Sequence, residues 1–297
     1  MEKIKIIANP SSGREGAIEI IKKLIAPFAS KGTSVLLNFT QKAGDARAFA
    51  ATDDGEDCII SVGGDGTVNE VVSGMYEAKR TTPLAIYPAG TVNDFAESMG
   101  IPKDPYDFYT MIAEGETCAV DIGLCGDSAF INVCAVGVFS EIGYKVPDEA
   151  KSAVGRLAYY AEGFRMFREK DFLKSGFDVH IDCDGEVIDT KAMMVMVSNS
   201  NSDGGFSKIS PEADVTDGLL ELTVIEEMTI SKLLELFRTI GLGKHIDHDH
   251  FIYRHGKKIT VEADKSMHVD IDGEKGPRLP QTIEVVPGAI QLITNRR

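Results

Sequence analysis

The run Cys58-Ile59-Ile60-Ser61-Val62 passes straight into Gly63-Gly64-Asp65-Gly66-Thr67 and then into Val68-Asn69-Glu70-Val71-Val72. A short apolar run bounded by glycine reads as a buried strand, and the stretch beyond it reads as a helix. The junction therefore predicts the strand, turn and helix from which a parallel sheet is built. It also predicts an anion site. Three glycines free the backbone to take positive φ angles and expose N–H groups, and the positive end of the helix faces the same place. The string matches neither GxxxxGKS/T nor GxGxxG, and it lacks the lysine of the former. A bare turn needs no Asp65 and no Thr67, so their presence points to nucleotide phosphate.

Around this junction the first ~125 residues alternate strand and helix. Strands are expected at Ile4–Ala8, Val35–Phe39, Cys58–Val62, Leu84–Tyr87 and Cys118–Leu124. The loops after the first, third and fourth are rich in small polar residues: Asn9-Pro10-Ser11-Ser12-Gly13, Gly63–Thr67, and Pro88-Ala89-Gly90-Thr91-Val92-Asn93-Asp94. Ligands of an open parallel sheet bind beyond the carboxyl ends of its strands, so these loops are expected to share one crevice, joined by Thr40 after the second strand.

From about Gly126 the pattern turns strand-rich, at Ala129–Val136, Phe177–Cys183, Ala192–Ser198, Leu219–Ile225 and Lys258–Ala263. The fold expected is a Rossmann-like parallel-sheet α/β domain over residues 1–125, followed by an antiparallel β-sandwich-like domain over 126–287. Residues 288–297 are expected to return to the first domain. Helices are expected at Lys151–Glu169 and Ile230–Leu242, and no internal repeat stands out.

The chain of 297 residues has a formal charge of −15, which argues against nucleic acid as a partner. No run reaches the ~18–20 apolar residues of a membrane span, so a cytoplasmic protein is expected. Cys58, Cys118, Cys125, Cys134 and Cys183 show no CxxC pair and are expected as free, mostly buried thiols. The Lys151–Lys170 stretch sets five basic residues against two acidic ones beside aromatics, a pattern that fits a membrane-facing surface or a packing helix with a solvated face. His245, His248 and His250, interleaved with Asp247 and Asp249, read as a solvated loop.

Asn9–Gly13, Gly63–Thr67 with Asn69-Glu70, Gly90-Thr91 with Asn93-Asp94-Phe95-Ala96, Asp217-Gly218-Leu219-Leu220 and Asp272-Gly273-Glu274 occur in an order that resembles the diacylglycerol kinase catalytic-domain family, and within it the bacterial soluble lipid kinases. The resemblance implies an ATP- and Mg²⁺-dependent lipid kinase whose first-guess acceptor is diacylglycerol. It places the adenine nucleotide on Asn9, Pro10, Ser11, Ser12, Gly13, Thr40, Gly63, Gly64, Asp65, Gly66, Thr67, Val68, Asn69 and Thr91. Glu274 is implied as the general base. Asp65, Asp94 and Asp121 each follow or end a strand of the first domain, so they are expected as further acids facing the crevice. A second, structural Mg²⁺ is implied on the Asp217 side chain and the carbonyls of Asp214 and Leu219.

Plainer roles stay open for several of these. Asp272-Gly273 is also a hairpin turn signal, Asp94 also suits a helix N-cap, and Asp217-Gly218 also suits a metal-free turn. The lipid substrate implies transient association with a membrane surface, and the resemblance allows a homodimer. NAD kinase shares the GGDGT string but not the Gly90–Ala96 loop. A catalytically silent nucleotide- or lipid-binding regulator is the rival from another class.

Overall fold

The computed structural model describes residues 1–12, 17–137, 176–201 and 209–295. Gly13 and the Lys151–Glu169 segment, with the basic and aromatic surface expected on it, lie outside the described residues. The chain divides into two compact units. Unit 1 holds Met1–Ile122, Val215–Asp217 and the C-terminal residues from Val286, and unit 2 holds Gly123–Asp214 and Gly218–Val285.

Unit 1 is a Rossmann-like layer. Strands β1 (Lys3–Ala8), β2 (Ser34–Phe39), β3 (Cys58–Gly63) and β4 (Leu84–Pro88) lie side by side in the order β2-β1-β3-β4, all parallel. Their near-continuous apolar sequences, such as Ile4, Ile6 and Ile7, are what a sheet covered on both faces requires. The connections are helices α1 (Ala17–Ser30), α2 (Asp45–Ala51) and α3 (Asp65–Glu77), with α4 (Asp94–Ser98) and α5 (Pro105–Glu114) following β4. Strand β5 (Glu116–Cys125) runs on into unit 2, and the last strand, β15 (Gln281–Thr294), pairs through Leu292 with Leu84 of β4.

Below the strands' amino ends lies an ion cluster that periodicity did not reveal. Lys5 is only 1% exposed, and its Nζ meets Asp54 at 2.7 Å, Glu56 at 3.2 Å and the Thr52 carbonyl at 2.6 Å. Arg80 meets the same Glu56 carboxylate at 2.7 Å. A cation inside a sheet is tolerated only with such pairing.

Unit 2 is antiparallel. Strands β6 (Ser128–Phe130), β7 (Val133–Gly137), β8 (Phe177–Cys183), β9 (Glu186–Ser198), β10 (Leu220–Glu226), β11 (Phe251–Gly256), β12 (Lys258–Glu262), β13 (His268–Ile271) and β14 (Glu274–Arg278) build it, with helix α6 (Ile230–Gly241) on one side. β9 pairs with β8, β7 and β10, so it runs through the centre. Its side chains alternate between faces. Val195 and Val197 join one apolar core, while Met194 and Met196 join a second core with Leu233, Leu236 and Ile240 of α6.

Four expectations are corrected. The run Ala129–Val136 is two strands, because the backbone breaks at Ile131-Asn132, where its N–H groups bind the Asp272 carboxylate. Helix α3 begins at Asp65, so Gly66 and Thr67 are already helical. His245 is fully buried: its Nε2 lies 3.0 Å from the Ile209 carbonyl and its ring meets Phe251 edge-on. Unit 2 also contains a repeat.

The repeat is His180-Ile181-Asp182-Cys183-Asp184-Gly185-Glu186 and His268-Val269-Asp270-Ile271-Asp272-Gly273-Glu274. Each copy is a strand ending in a two-residue Asp-Gly hairpin, with φ of 49° and 93° at Asp184 and Gly185 and 49° and 88° at Asp272 and Gly273. Both φ values are positive, as the type I′ turn that suits hairpin twist demands. In each copy the upstream Asp accepts from the turn glycine, at 2.7 Å for Asp182 and Gly185 and 2.9 Å for Asp270 and Gly273.

The thiols are free, and all but the half-buried Cys118 are buried. Burial pushes the Cys58 thiol up to about 12, which keeps it protonated and inert.

Candidate active site

In unit 1 the polar loops gather at the carboxyl ends of neighbouring strands. Asn9 leaves β1 with its N–H donating to Val62 of β3 at 3.0 Å, and Thr40 leaves β2 with its N–H donating to Ala8 of β1 at 2.9 Å. The Asn9 side chain accepts from Ser11 N–H at 3.0 Å and the Asn9 carbonyl from Ser12 N–H at 3.1 Å, which folds Asn9-Pro10-Ser11-Ser12 into a turn above the sheet.

The glycines serve close approach. Gly63, Gly64, Gly66 and Gly90 all have ordinary negative or extended φ, contrary to the expected positive angles. A β-carbon on Gly63 would lie 2.5 Å from the Thr67 side chain, and one on Gly90 would lie 2.4 Å from the Gly64 Cα. Two loops thus meet backbone to backbone. The Gly63 carbonyl accepts from Ala89 and Gly90 N–H at 2.9 and 3.2 Å, stitching the loop after β4 to the loop after β3. Asn93 closes the second loop on itself: its side chain accepts from Gly90 N–H and donates to the Gly90 carbonyl, both at 2.8 Å. It does so in the left-handed region, at φ 59°, which asparagine tolerates. Asn93 was not among the expected site residues, although its side chain organises the loop.

Helix α3 starts on this platform. The N–H groups of Asp65, Gly66 and Thr67 fall in its first turn, where a helix offers no acceptor of its own. Gly66 is exposed there and Thr91 is exposed on the neighbouring loop, while Asn69 lies one turn on, half-buried. Val68 is placed otherwise: its side chain is buried and its N–H donates to the Gly64 carbonyl, so it offers the crevice nothing. Glu70 turns away to accept from Gly44 and Ala46 N–H at 2.9 and 3.1 Å, which caps α2.

The three acids differ. Asp65 accepts from Phe95 N–H at 3.2 Å, so it ties α3 to α4 and keeps its other oxygen. Asp94 is the first residue of α4, not its cap; Asn93 stands in that place. Asp121 is not at a strand end but in the middle of β5, where it is 2% exposed and accepts from Gly288 N–H at 2.7 Å. Its own N–H donates to the Val215 carbonyl at 2.7 Å, which holds the Val215–Asp217 segment to β5.

Among the described residues no three carboxylate, imidazole or thiol groups gather to hold a metal. The acids therefore form no cage by themselves. A magnesium ion arriving with nucleotide needs only one or two carboxylates besides phosphate and water, a requirement Asp65 fits. Of the residues that the resemblance implies for a structural ion, Asp217 is exposed, Asp214 and Leu219 are half-buried, and Gly218 takes φ 73°. One carboxylate and two carbonyls make an all-oxygen set suited to a hard cation.

In unit 2, Glu274 opens β14 immediately after the Asp272-Gly273 turn and is exposed. Its counterpart in the repeat, Glu186, is bound by Arg254 at 2.8 Å. Among the described residues no side chain or backbone group bonds the Glu274 carboxylate. The Ile131-Asn132 break that Asp272 binds is held by a buried polar web. Asn199 donates from its side chain to the Ile131 carbonyl at 2.9 Å, and Ser200 donates to the Asn132 side chain at 2.8 Å.

These features have counterparts in known proteins. The family described as "Diacylglycerol kinase catalytic domain" matches residues 3–125, and the one described as "YegS C-terminal NAD kinase beta sandwich-like domain" matches 133–294. A diacylglycerol kinase of Staphylococcus epidermidis is 32% identical over 295 residues, covering 99% of this chain and 92% of that protein. One of Staphylococcus saprophyticus is 34% identical over 295 residues, covering 99% and 95%. The crystal structure of a diacylglycerol kinase from Bacillus anthracis superposes with a TM-score of 0.82 at 28% identity, covering 99% of this chain and 97% of that one. With near-complete coverage on both sides, this chain belongs to the diacylglycerol kinase family of lipid kinases.

Proposed function

We propose that the chain transfers the γ-phosphoryl group of ATP to a lipid hydroxyl, with diacylglycerol as the acceptor and phosphatidic acid as the product. The observation that carries this reading is the meeting of Asn9, Thr40, Gly64 and Gly90 at the carboxyl ends of adjoining parallel strands, with the first turn of α3 among them. Phosphoryl transfer asks mainly for positioned phosphates and charge compensation. Backbone N–H groups at a helix start supply the first, and Mg²⁺ bound with the nucleotide supplies the second by offsetting phosphate charge. Glu274 takes the proton of the attacking hydroxyl. An exposed carboxylate without a competing cation suits that task better than Glu186, which Arg254 occupies. Asp65 serves the nucleotide and its ion, with Asp94 at the start of α4, while Asp121, buried within β5, holds the Val215–Asp217 segment. The acceptor is collected at a membrane surface, because that is where a lipid substrate resides; no helix among the described residues is long and apolar enough to cross a membrane.

The test is transfer of label from γ-phosphate-labelled ATP, with Mg²⁺, into diacylglycerol, phosphatidylglycerol and a sphingoid base in mixed micelles, with NAD as a further arm. Labelled phosphatidic acid is the expected product. Label in another lipid changes the acceptor and keeps the chemistry, whereas label in NAD alone overturns the lipid reading.

A further inference from the structure

The duplicated hairpins differ in what their turn aspartates hold. Asp184 accepts from Lys257 and Lys258 N–H at 2.7 and 3.0 Å, and its own N–H donates to the Lys258 carbonyl at 3.0 Å. Asp272 accepts from three consecutive N–H groups, those of Ile131, Asn132 and Val133, at 2.8, 2.9 and 2.8 Å, and its N–H donates to the Val133 carbonyl at 3.0 Å. The device is the same, but the substrate of the grip is not. The first copy is pinned to the start of β12 at an exposed turn. The second is pinned to the break between β6 and β7, which Asn199 and Ser200 lock in turn from the end of β9.

A carboxylate receiving three N–H bonds is a strong, directional clamp, because each bond to the ionised group is short and roughly twice as strong as a neutral one. The clamped residue lies two positions before Glu274. The turn between them is a type I′ hairpin with little freedom left, since Asp270 also binds the Gly273 N–H. The orientation of the Glu274 backbone is therefore set by Asp272 and, through it, by the Ile131–Val133 break. That also accounts for the break: three N–H groups there are withdrawn from strand pairing to serve one side chain.

We propose that Asp272 is a positioning residue for Glu274, and that the Asp184 hairpin is its duplicated twin, kept for structure alone. This rests on the reading of Glu274 as the base. Loss of the clamp lets the carboxylate wander, and a misplacement of ~1 Å in a reacting group costs about 10²-fold in rate.

The twin supplies the control. We would compare wild type, Asp272→Asn, Asp184→Asn and Glu274→Gln, each in the full chain, measuring kcat and the KM for ATP with dioctanoylglycerol in mixed micelles. Amide hydrogen exchange across Ile271–Lys275 would be followed in the same proteins. The expected result is a fall in kcat of about 10- to 100-fold for Asp272→Asn, KM for ATP unchanged, and faster exchange at Gly273 and Glu274. Asp184→Asn keeps the wild-type kcat even where its melting temperature falls as far. Equal kcat for the two aspartate variants, with Glu274→Gln inactive, overturns the positioning role and leaves the base intact. Full activity in Glu274→Gln removes the base and the proposal with it. Unchanged exchange at Gly273 and Glu274 in Asp272→Asn overturns the proposal whatever the turnover.

Discussion

Gly64 and Gly90 meet backbone to backbone: a β-carbon on Gly90 would stand 2.4 Å from the Gly64 Cα and 3.1 Å from its nitrogen. Neither has a positive φ, so it is the want of space that selects glycine at both positions. The contact brings the loops after β3 and β4 together beside the start of α3.

Gly90→Ala must therefore push the two loops apart. Overpacking of this kind costs about 1–3 kcal/mol, read as a lowered denaturant midpoint. ATP affinity, measured by calorimetry, is expected to fall more than tenfold. Wild-type affinity in this variant would show that the loop contact does not shape the nucleotide site.

Gly66 makes a contrasting prediction. A β-carbon there meets nothing within 4 Å, and the residue is helical. Gly66→Ala is expected to stabilise the fold by about 0.5–1 kcal/mol. It is also expected to weaken ATP binding, because the new methyl sits over first-turn N–H groups. A variant more stable and equally tight for ATP would remove phosphate from this turn.

The ion cluster at the other end of the strands is a matter of stability. Glu56 lies between Lys5 and Arg80, with its side chain fully buried. Glu56→Ala leaves two buried cations short of a partner, a change that costs about 3–5 kcal/mol. Urea unfolding should show it, with the KM for ATP unaltered.

His245 gives a pH signature. Burial pushes its imidazole below the ordinary histidine value, against the smaller upward pull of its bond to the Ile209 carbonyl. The folded state thus favours the neutral ring. Its contribution is complete above the unfolded value of ~6.5 and is lost as pH falls below it, by at most about 1.4 kcal/mol per pH unit. The wild type should lose stability between about pH 6.5 and 5 more steeply than His245→Gln. Parallel curves would contradict the assignment.

Much of this was legible in the chain. The apolar runs of β1, β3 and β4 could only be buried strands, and the loops beyond them had to converge once the sheet was parallel. What escaped depends on partners remote in sequence. The break at Ile131-Asn132 is imposed by Asp272 and not by local propensity. Asp121 was expected to face the crevice, and nothing nearby in sequence shows that Gly288 will bind it inside β5. His245 stands in a polar run, yet Ile209 and Phe251 bury it. The paired hairpins were readable as text, but the repeat is short and its meaning comes from φ angles and bonds.

The central claim is that Glu274 is the base of a lipid kinase. The most direct measurement sets ATP affinity beside label transfer from γ-phosphate-labelled ATP to dioctanoylglycerol, for wild type and Glu274→Gln. The account predicts labelled phosphatidic acid from wild type, and a variant that binds ATP equally well but transfers label about 10²- to 10⁴-fold more slowly. Transfer by Glu274→Gln at the wild-type rate, or a wild type that binds ATP and labels no lipid, would contradict it.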